Sequence, residues 1–178
     1  PLIRVVGVGR NPERPAPFAL QRGIDDSRYE YHQVHLAYEP ERLLSLLEVK
    51  RPEVIVNLAA QGEEAASWSN SWRYYEVNTS ALARVVEPLL GVEWLRKWVQ
   101  IGSASVYGAG REAATEEFPL RPATPYAVSK AAADYHLLAV GAVRGFPVNI
   151  IRPVNLYGPG QQLHRIIPKT TLCALLGR

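Results

Sequence analysis

Apolar positions come in short bursts along this chain, and their spacing alternates between two rhythms. Ile3 to Gly9 (IRVVGVG) is a short apolar run closed by Arg10, Asn11 and Pro12, which predicts a buried strand. Residues 11–28 hold three prolines and one glycine and read as a loop. Tyr29 to Leu36 (YEYHQVHL) partly alternates and predicts a second strand. Leu43, Leu44, Leu46 and Leu47 then recur at helical spacing behind Pro40, predicting a helix over 40–49. A strand follows at 53–58 (EVIVNL) and a long helix at 71–90, with Tyr75, Leu82, Val85, Val86 and Leu89 on its apolar face. WLRKWVQIGS predicts a strand ending near Ile101. A proline-rich loop (EEFPLRPATP) leads into a helix from Pro125 to about Arg144, where Thr124 can cap free N–H groups and Pro125 suits the first position. PVNIIRP predicts a strand ending at Arg152, and a last helix is expected near 165–176.

Strands alternating with helices, the strands apolar throughout, imply a parallel sheet covered by helices on both faces. Such sheets bind ligands at the carboxyl ends of their strands. Three chemically rich segments fall there: NLAAQ, GSASVYG and RPVNLYGPG. No internal repeat or low-complexity segment interrupts the pattern.

Composition narrows the partners. Hydrophobic residues make up 47% and charged residues 21% of 178, enough for one domain with a real core. The net charge of +3 is interspersed, which argues against a nucleic-acid partner, and no run approaches the ~20 apolar residues of a membrane helix. Cys173 is the one cysteine, so no internal disulfide is possible and a reducing cytoplasm is the expected location. Its apolar surroundings (TTLCALLG) suit a small core residue. The four histidines, His32, His35, His136 and His164, lack partners at metal-ligand spacing, so no metal site is expected. Trp68, Trp72, Trp94 and Trp98 read as core or interface residues. The chain has no methionine and stops just after a helix-like run, so we expect it to be a piece of a longer protein.

The densest chemistry lies in TPYAVSKAAADYH (124–136). Tyr126 and Lys130 are four apart and so share a helix face. A phenol normally titrates near ~10, and an ammonium held nearby favours its ionised form. Such a phenol can exchange a proton with an alcohol or ketone near neutral pH. Alone, this spacing is also that of an ordinary surface pair. Ser103, 23 residues earlier, follows a strand and a glycine, which puts its hydroxyl at the ligand end of the sheet.

Together these residues resemble the catalytic set of the short-chain dehydrogenase/reductases, and more closely the extended branch of NAD(P)-dependent epimerases and dehydratases acting on nucleotide sugars. The resemblance implies a Rossmann-like, doubly wound α/β sheet. VIVNLAAQ resembles the strand and turn beside the dinucleotide, placing Leu58, Ala59, Ala60 and Gln61 against the cofactor. YEVNTSALARVVE is similar to the family's long helix, with Asn78 at its asparagine. GSASVYG matches the serine strand end, which implies substrate contacts from Ser103, Ala104 and Ser105. The spacing of Pro119, Pro122 and Pro125 is also similar. RPVNLYGPGQ resembles the turn facing the nicotinamide, with Pro153 and Val154 at the cofactor and Asn155 toward the sugar phosphates. Tyr126 would carry the proton of the sugar C4 oxygen, Ser103 would orient that oxygen, and Lys130 would serve both the tyrosine and the nicotinamide ribose.

Departures from the family matter as much. No GxxGxxG turn is present, and Pro12 and Pro15 follow GVG (7–9) where a helix would be needed. Family spacing makes this stretch a second strand, so the phosphate-cradling first βα unit is expected before residue 1 and most of the substrate domain after residue 178. Residues 1–160 would then be a partial NAD(P)-binding domain and 161–178 the start of the substrate region. The 178 residues alone should bind dinucleotide weakly and have little activity. Where the family has an acid for the adenine ribose, Gly9, Arg10 and Asn11 stand, with Arg14 near. An arginine pairs with a 2′-phosphate, so NADP is favoured over NAD, with Arg10 and Asn11 as its contacts. His35 replaces an acid near the adenine amine and can still hydrogen-bond it. Dehydratases of this family carry acids just after the catalytic hydroxyl, whereas Ala104 and Ser105 stand here. That favours a 4-epimerase or 4-ketoreductase; the alternatives are a 4,6-dehydratase and a non-catalytic dinucleotide sensor. Glu63 and Glu64 follow NLAAQG and could approach the substrate, but the favoured reading puts them on a solvated helix start. By the resemblance, the helices at 71–90 and 125–144 pair across a homodimer.

Overall fold

The computed structural model describes residues 3–13, 26–109 and 114–178. Two compact units emerge: Val34–Val154, and a second made of Pro1–Gln33 with Asn155–Arg178. Every strand pair is parallel, as the βα rhythm predicts.

In the larger unit, β3 (Val54–Asn57), β4 (Lys97–Ile101) and β5 (Val148–Ile151) form one sheet in the order β3-β4-β5. The central strand buries Trp98 and Gln100 on one face. Around Trp98 gather Leu82, Val85, Val86, Leu137 and Phe146, the core onto which α1 (Pro40–Lys50), α3 (Ala81–Val86) and α4 (Pro125–Arg144) pack. Fully burying an aliphatic side chain of this kind contributes about 1.5–3 kcal/mol. The core therefore fixes where the carboxyl ends of β3, β4 and β5 lie.

The predicted helix over 71–90 is helical throughout but not regular. It consists of α2 (Ser71–Tyr75), a π turn over Glu76–Ser80, α3, and a 3-10 turn over Glu87–Leu89. Pro88 lacks the N–H that an α turn would need, so the last turn tightens. The π turn centres on Asn78, whose side chain is drawn into the site described below. Leu82, Val85, Val86 and Leu89 are buried as expected, but Tyr75 is exposed and Tyr74 is buried in its place. The tryptophans divide: Trp98 is buried and Trp94 lies against the core, while Trp68 and Trp72 are exposed.

The smaller unit pairs β1 (Val5–Gly9) with β2 (Tyr29–Gln33) and holds α5 (Ile166–Leu175). Both glycines of β1 make room for tyrosines. A Cβ on Gly7 would stand 2.8 Å from the Tyr29 hydroxyl, and one on Gly9 2.5 Å from that of Tyr31. The predicted second strand stops at Gln33 rather than Leu36. His35 turns the chain instead: its carbonyl accepts from Tyr38 and Glu39 N–H, and its own N–H donates to the Glu39 carboxylate at 2.8 Å.

One continuous sheet was expected, yet the described strands form a pair and a triple. Among the described residues, β3 pairs with β4.

Candidate active site

The helix carrying Tyr126 and Lys130 begins where the sequence placed it. Thr124 is extended, and its hydroxyl accepts from the Ala127 N–H at 3.1 Å. Gly145, at φ +67°, closes the far end in the left-handed conformation that suits glycine. One turn in from Tyr126, Lys130 is only 3% exposed, and its Nζ donates to the Ile101 carbonyl at 2.6 Å. The amine is thereby fixed at the carboxyl end of β4. Burial pushes its pKa down, and the negative charge of Asp134 opposes that shift. Tyr126 is half-buried, its ring edge-on to Tyr74 at 6.2 Å.

Ser103 lies two residues beyond Ile101. Its Oγ accepts from the Ser105 N–H at 3.2 Å and caps a 3-10 turn over Ala104–Tyr107. The loops after β4 and β5 are stapled together: Gly102 N–H donates to Ile151 O at 2.7 Å and Ala104 N–H to Pro153 O at 3.1 Å. Ser103, Ala104, Ser105, Lys130 and Pro153 thus meet at one end of the sheet.

The turn after β3 reaches the same end of the sheet and is held by asparagines. Asn57 Nδ2 donates to Gln100 Oε1 at 2.9 Å, while Asn57 Oδ1 accepts from Ala59 N–H at 3.1 Å. Asn78 grips Gln61 on both sides: its Oδ1 accepts from Gln61 N–H at 2.7 Å and its Nδ2 donates to Gln61 O at 3.1 Å. The same Nδ2 reaches Ser129 Oγ on α4 at 2.9 Å. So Asn78 ties the 58–61 turn to the helix of Tyr126 and Lys130. Leu58, Ala59, Ala60 and Val154 are left exposed, an apolar surface at the strand ends.

Arg10, Asn11 and Asn155 belong to the smaller unit and are exposed there. The Arg10 carbonyl accepts from Gln33 Nε2, and the Asn11 carbonyl from Tyr31 Oη. Arg14 lies outside the described residues. His35 stacks on Tyr38 at 4.3 Å, and its Nδ1 accepts from Ala37 N–H.

Two groups escaped sequence reasoning. Asp134, fully buried and four residues after Lys130, bonds Arg152 Nε through Oδ2 at 2.7 Å. Its other oxygen, Oδ1, is buried without a hydrogen-bond partner. Burial raises the Asp134 pKa, while Arg152 and Lys130 work against the rise. Arg152 continues to Tyr107 Oη at 2.7 Å. Burial opposes its charge, but its bonds to Asp134 and Tyr107 outweigh that and raise its pKa. The YxxxKxxxD spacing was the available signal for Asp134. Tyr74 is the second group: its hydroxyl donates to the carbonyls of Gly62 and Glu63 at 2.7 and 2.8 Å. Glu64 is exposed and opens a 3-10 turn over Ala65–Trp68, as expected, and its carboxylate also meets two hydroxyls. Oε1 accepts from Thr124 Oγ1 at 2.8 Å, and Oε2 lies 3.4 Å from Ser105 Oγ.

Comparison with known proteins establishes the family. A model of the NAD dependent epimerase/dehydratase family matches residues 2–178. The chain is 31% identical over 137 residues to a trifunctional UDP-glucose 4,6-dehydratase/UDP-4-keto-6-deoxy-D-glucose 3,5-epimerase/UDP-4-keto-L-rhamnose-reductase of Arabidopsis thaliana, covering 75% of this chain and 21% of that protein. It is 32% identical over 114 residues to a GDP-6-deoxy-D-mannose reductase of Pseudomonas aeruginosa, covering 62% of this chain and 38% of the relative. A dTDP-glucose 4,6-dehydratase of Bacillus anthracis, solved in complex with NAD, matches in structure with a TM-score of 0.81 at 27% identity, over 98% of this chain and 54% of that one. The chain therefore spans well under two thirds of each protein it resembles.

Proposed function

This chain belongs to the NAD dependent epimerase/dehydratase family, and from that premise we propose that the protein is an NAD(P)-dependent enzyme acting at C4 of a nucleotide sugar. The observation that carries the reading is the anchored lysine. Lys130 Nζ is held on Ile101 O, two residues from Ser103 and one helical turn from Tyr126. This anchoring supports Tyr126 as proton donor, Lys130 as cation and Ser103 as orienting hydroxyl.

The residues present fit a dinucleotide. The exposed apolar turn Leu58–Ala60 and the exposed Val154 offer a surface for flat rings, and Asn78 fixes that turn's backbone. Leu58, Ala59, Ala60, Gln61, Asn78, Tyr126, Lys130, Pro153 and Val154 would hold the cofactor; Arg10 and Asn11 are further proposed contacts that rest on the resemblance alone. When bound, the cofactor supplies the hydride acceptor or donor. Tyr126 gives or takes the proton of the C4 oxygen. Ser103 hydrogen-bonds that oxygen, and Lys130 contributes positive charge and a donor for the nicotinamide ribose. Ala104 and Ser105 would line the sugar side, and Asn155 as a sugar-phosphate contact rests on the resemblance alone. Arg10 in place of an acid supports NADP over NAD. The dinucleotide region would run through residues 1–160, with the substrate region opening at 161. Exposed Trp72, Tyr135 and Leu138 on α2 and α4 support pairing of two copies through these helices. Among the described residues no helix is long and apolar enough to cross a membrane, and the cytoplasm is the proposed compartment.

Ala104 and Ser105 offer no carboxylate, which supports epimerisation or ketone reduction. The second reading is a 4,6-dehydratase, supported by the Glu64 carboxylate beside Ser105. The test is NAD(P)H absorbance in the full-length protein against a panel of nucleotide sugars. Turnover is expected, with Tyr126→Phe lowering it by about 10²-fold or more while cofactor binding persists. Binding without turnover would instead identify a dinucleotide sensor.

A further inference from the structure

Asp134 is the one buried carboxylate among the described residues, and no step of the reaction proposed above uses it. It follows the one buried lysine, Lys130, by four residues, so the two side chains share a face of α4. Asp134 Oδ2 accepts from Arg152 Nε at 2.7 Å, and Arg152 Nη1 donates onward to Tyr107 Oη at 2.7 Å. Arg152 lies between Ile151 and Pro153, whose carbonyls accept from the Gly102 and Ala104 N–H groups. One carboxylate therefore ties α4 to the loops after both β4 and β5.

The other oxygen, Oδ1, has no hydrogen-bond partner. It lies against Gly102, where a Cβ would stand 3.3 Å from Oδ1 and 3.2 Å from Arg152 Cγ. Gly102 is flanked by Ile101, whose carbonyl holds Lys130 Nζ at 2.6 Å, and by Ser103. The ion pair thus packs directly on the stretch of backbone that seats the ammonium and carries the orienting hydroxyl. Withdrawal from water favours a neutral amine, whereas a carboxylate nearby favours the ammonium. Both act on Lys130, burial pushing its pKa down and Asp134 opposing that push. Other charged or titratable groups around this part of α4 are Tyr126 on α4 itself, Tyr74 on α2, Glu64 beside Thr124, Tyr107 after β4 and Arg152 after β5. Arg152 is itself a cation and Glu64 is exposed, which leaves Asp134 as the buried counter-charge.

We propose that Asp134 is a positioning residue for the reaction: it braces the Ile101–Ser103 backbone and supplies the counter-charge that keeps Lys130 an ammonium on Ile101 O. The inference rests on the function proposed above, but the charge on Lys130 is measurable without substrate.

The test uses the full-length protein, isotope-labelled at lysine Cε. NMR titration follows the Lys130 signal, identified by its loss in Lys130→Arg, and a pH profile of turnover is taken on a nucleotide sugar that the parent protein converts. Asp134→Asn keeps an oxygen acceptor for Arg152 Nε and removes the charge. A neighbour of a lost negative charge releases its proton at lower pH. The Lys130 midpoint and the alkaline limb of kcat should therefore both fall by about one pH unit or more, while KM changes only a few-fold. Asp134→Glu, which keeps a carboxylate, should bring both back toward the parent values. If Asp134→Asn does not fold, Asp134→Leu with Arg152→Met removes both buried charges together and should shift both readings in the same direction. A Lys130 midpoint that stays at the parent value in a folded variant overturns the proposal. So does a lowered kcat whose alkaline limb has not moved, since a merely structural residue would give that result. A parent protein that converts no nucleotide sugar sinks the function proposed above and the positioning role with it, while the lysine titration still decides whether Asp134 holds the charge.

Discussion

Removing one partner of the Asp134–Arg152 pair should destabilise the protein far more than removing both. Asp134 is fully buried, and its carboxylate meets Arg152 Nε at 2.7 Å. Asp134→Ala leaves the Arg152 guanidinium with Tyr107 Oη and a long contact to Glu116 O, but without its counter-charge. It also strips Lys130 of the carboxylate that opposes the downward push of burial. Arg152→Met leaves a carboxylate whose Oδ1 already lacks a partner and whose Oδ2 would lose its own. Breaking a buried pair from one side costs about 3–5 kcal/mol, whereas apolar replacement of both is often close to neutral. For a protein of this size, about 2–4 °C is lost per kcal/mol, so each single variant should melt roughly 6–20 °C lower. A double-mutant cycle on the full-length protein, read by urea unfolding and thermal melts, measures the coupling directly. The pair Asp134→Leu with Arg152→Met should be closer in stability to the parent than either single variant. Additive losses, or single losses under about 1 kcal/mol, would refute the claim that the two charges depend on each other.

Four further outcomes follow from the geometry. Gly108→Ala should cost about 2 kcal/mol or more, because φ +82° with ψ −176° is a glycine-only conformation and the new Cβ would stand 2.6 Å from the Arg121 carbonyl. Gly91→Ala, at φ +84° but with nothing within 4 Å, should cost only about 1 kcal/mol in the same unfolding assay. Asn78→Ala removes the side-chain partner of both the Gln61 N–H and the Gln61 carbonyl, leaves Ser129 only its bond to Tyr126 O, and should cost about 2 kcal/mol or more, with hydrogen exchange at the Gln61 amide rising first. Lys130→Met should flatten the alkaline stability profile. The Lys130 pKa is lowered on folding, so between the folded value and the ordinary lysine value the unfolded chain binds the extra proton. Stability therefore rises with pH through that window, and the variant, titrated beside the parent, should lack the rise.

Periodicity and punctuation determined the local elements because their causes are local. Thr124, Pro125 and Gly145 bound α4 at residues readable without any neighbour, and Pro40 did the same for the start of α1. The order Ser103, Tyr126, Lys130 was equally legible, since a strand end and a helix turn put each near the ligand side of a parallel sheet. Tertiary structure decided what depends on side chains meeting across long stretches of chain. No local pattern tells Asn78 to open a π turn; its partners are Gln61 and Ser129, 17 and 51 residues away. Tyr74 rather than Tyr75 is buried because the Gly62 and Glu63 carbonyls need a donor. Asp134 could be read as one more polar helix residue until Arg152 arrived from β5 to neutralise it. That the solvated Glu64 also meets two hydroxyls was not legible, because Ser105 and Thr124 are 41 and 60 residues distant. Burial and hydrogen bonding of a polar group are satisfied in space, and only the folded chain determines which groups are there to satisfy them.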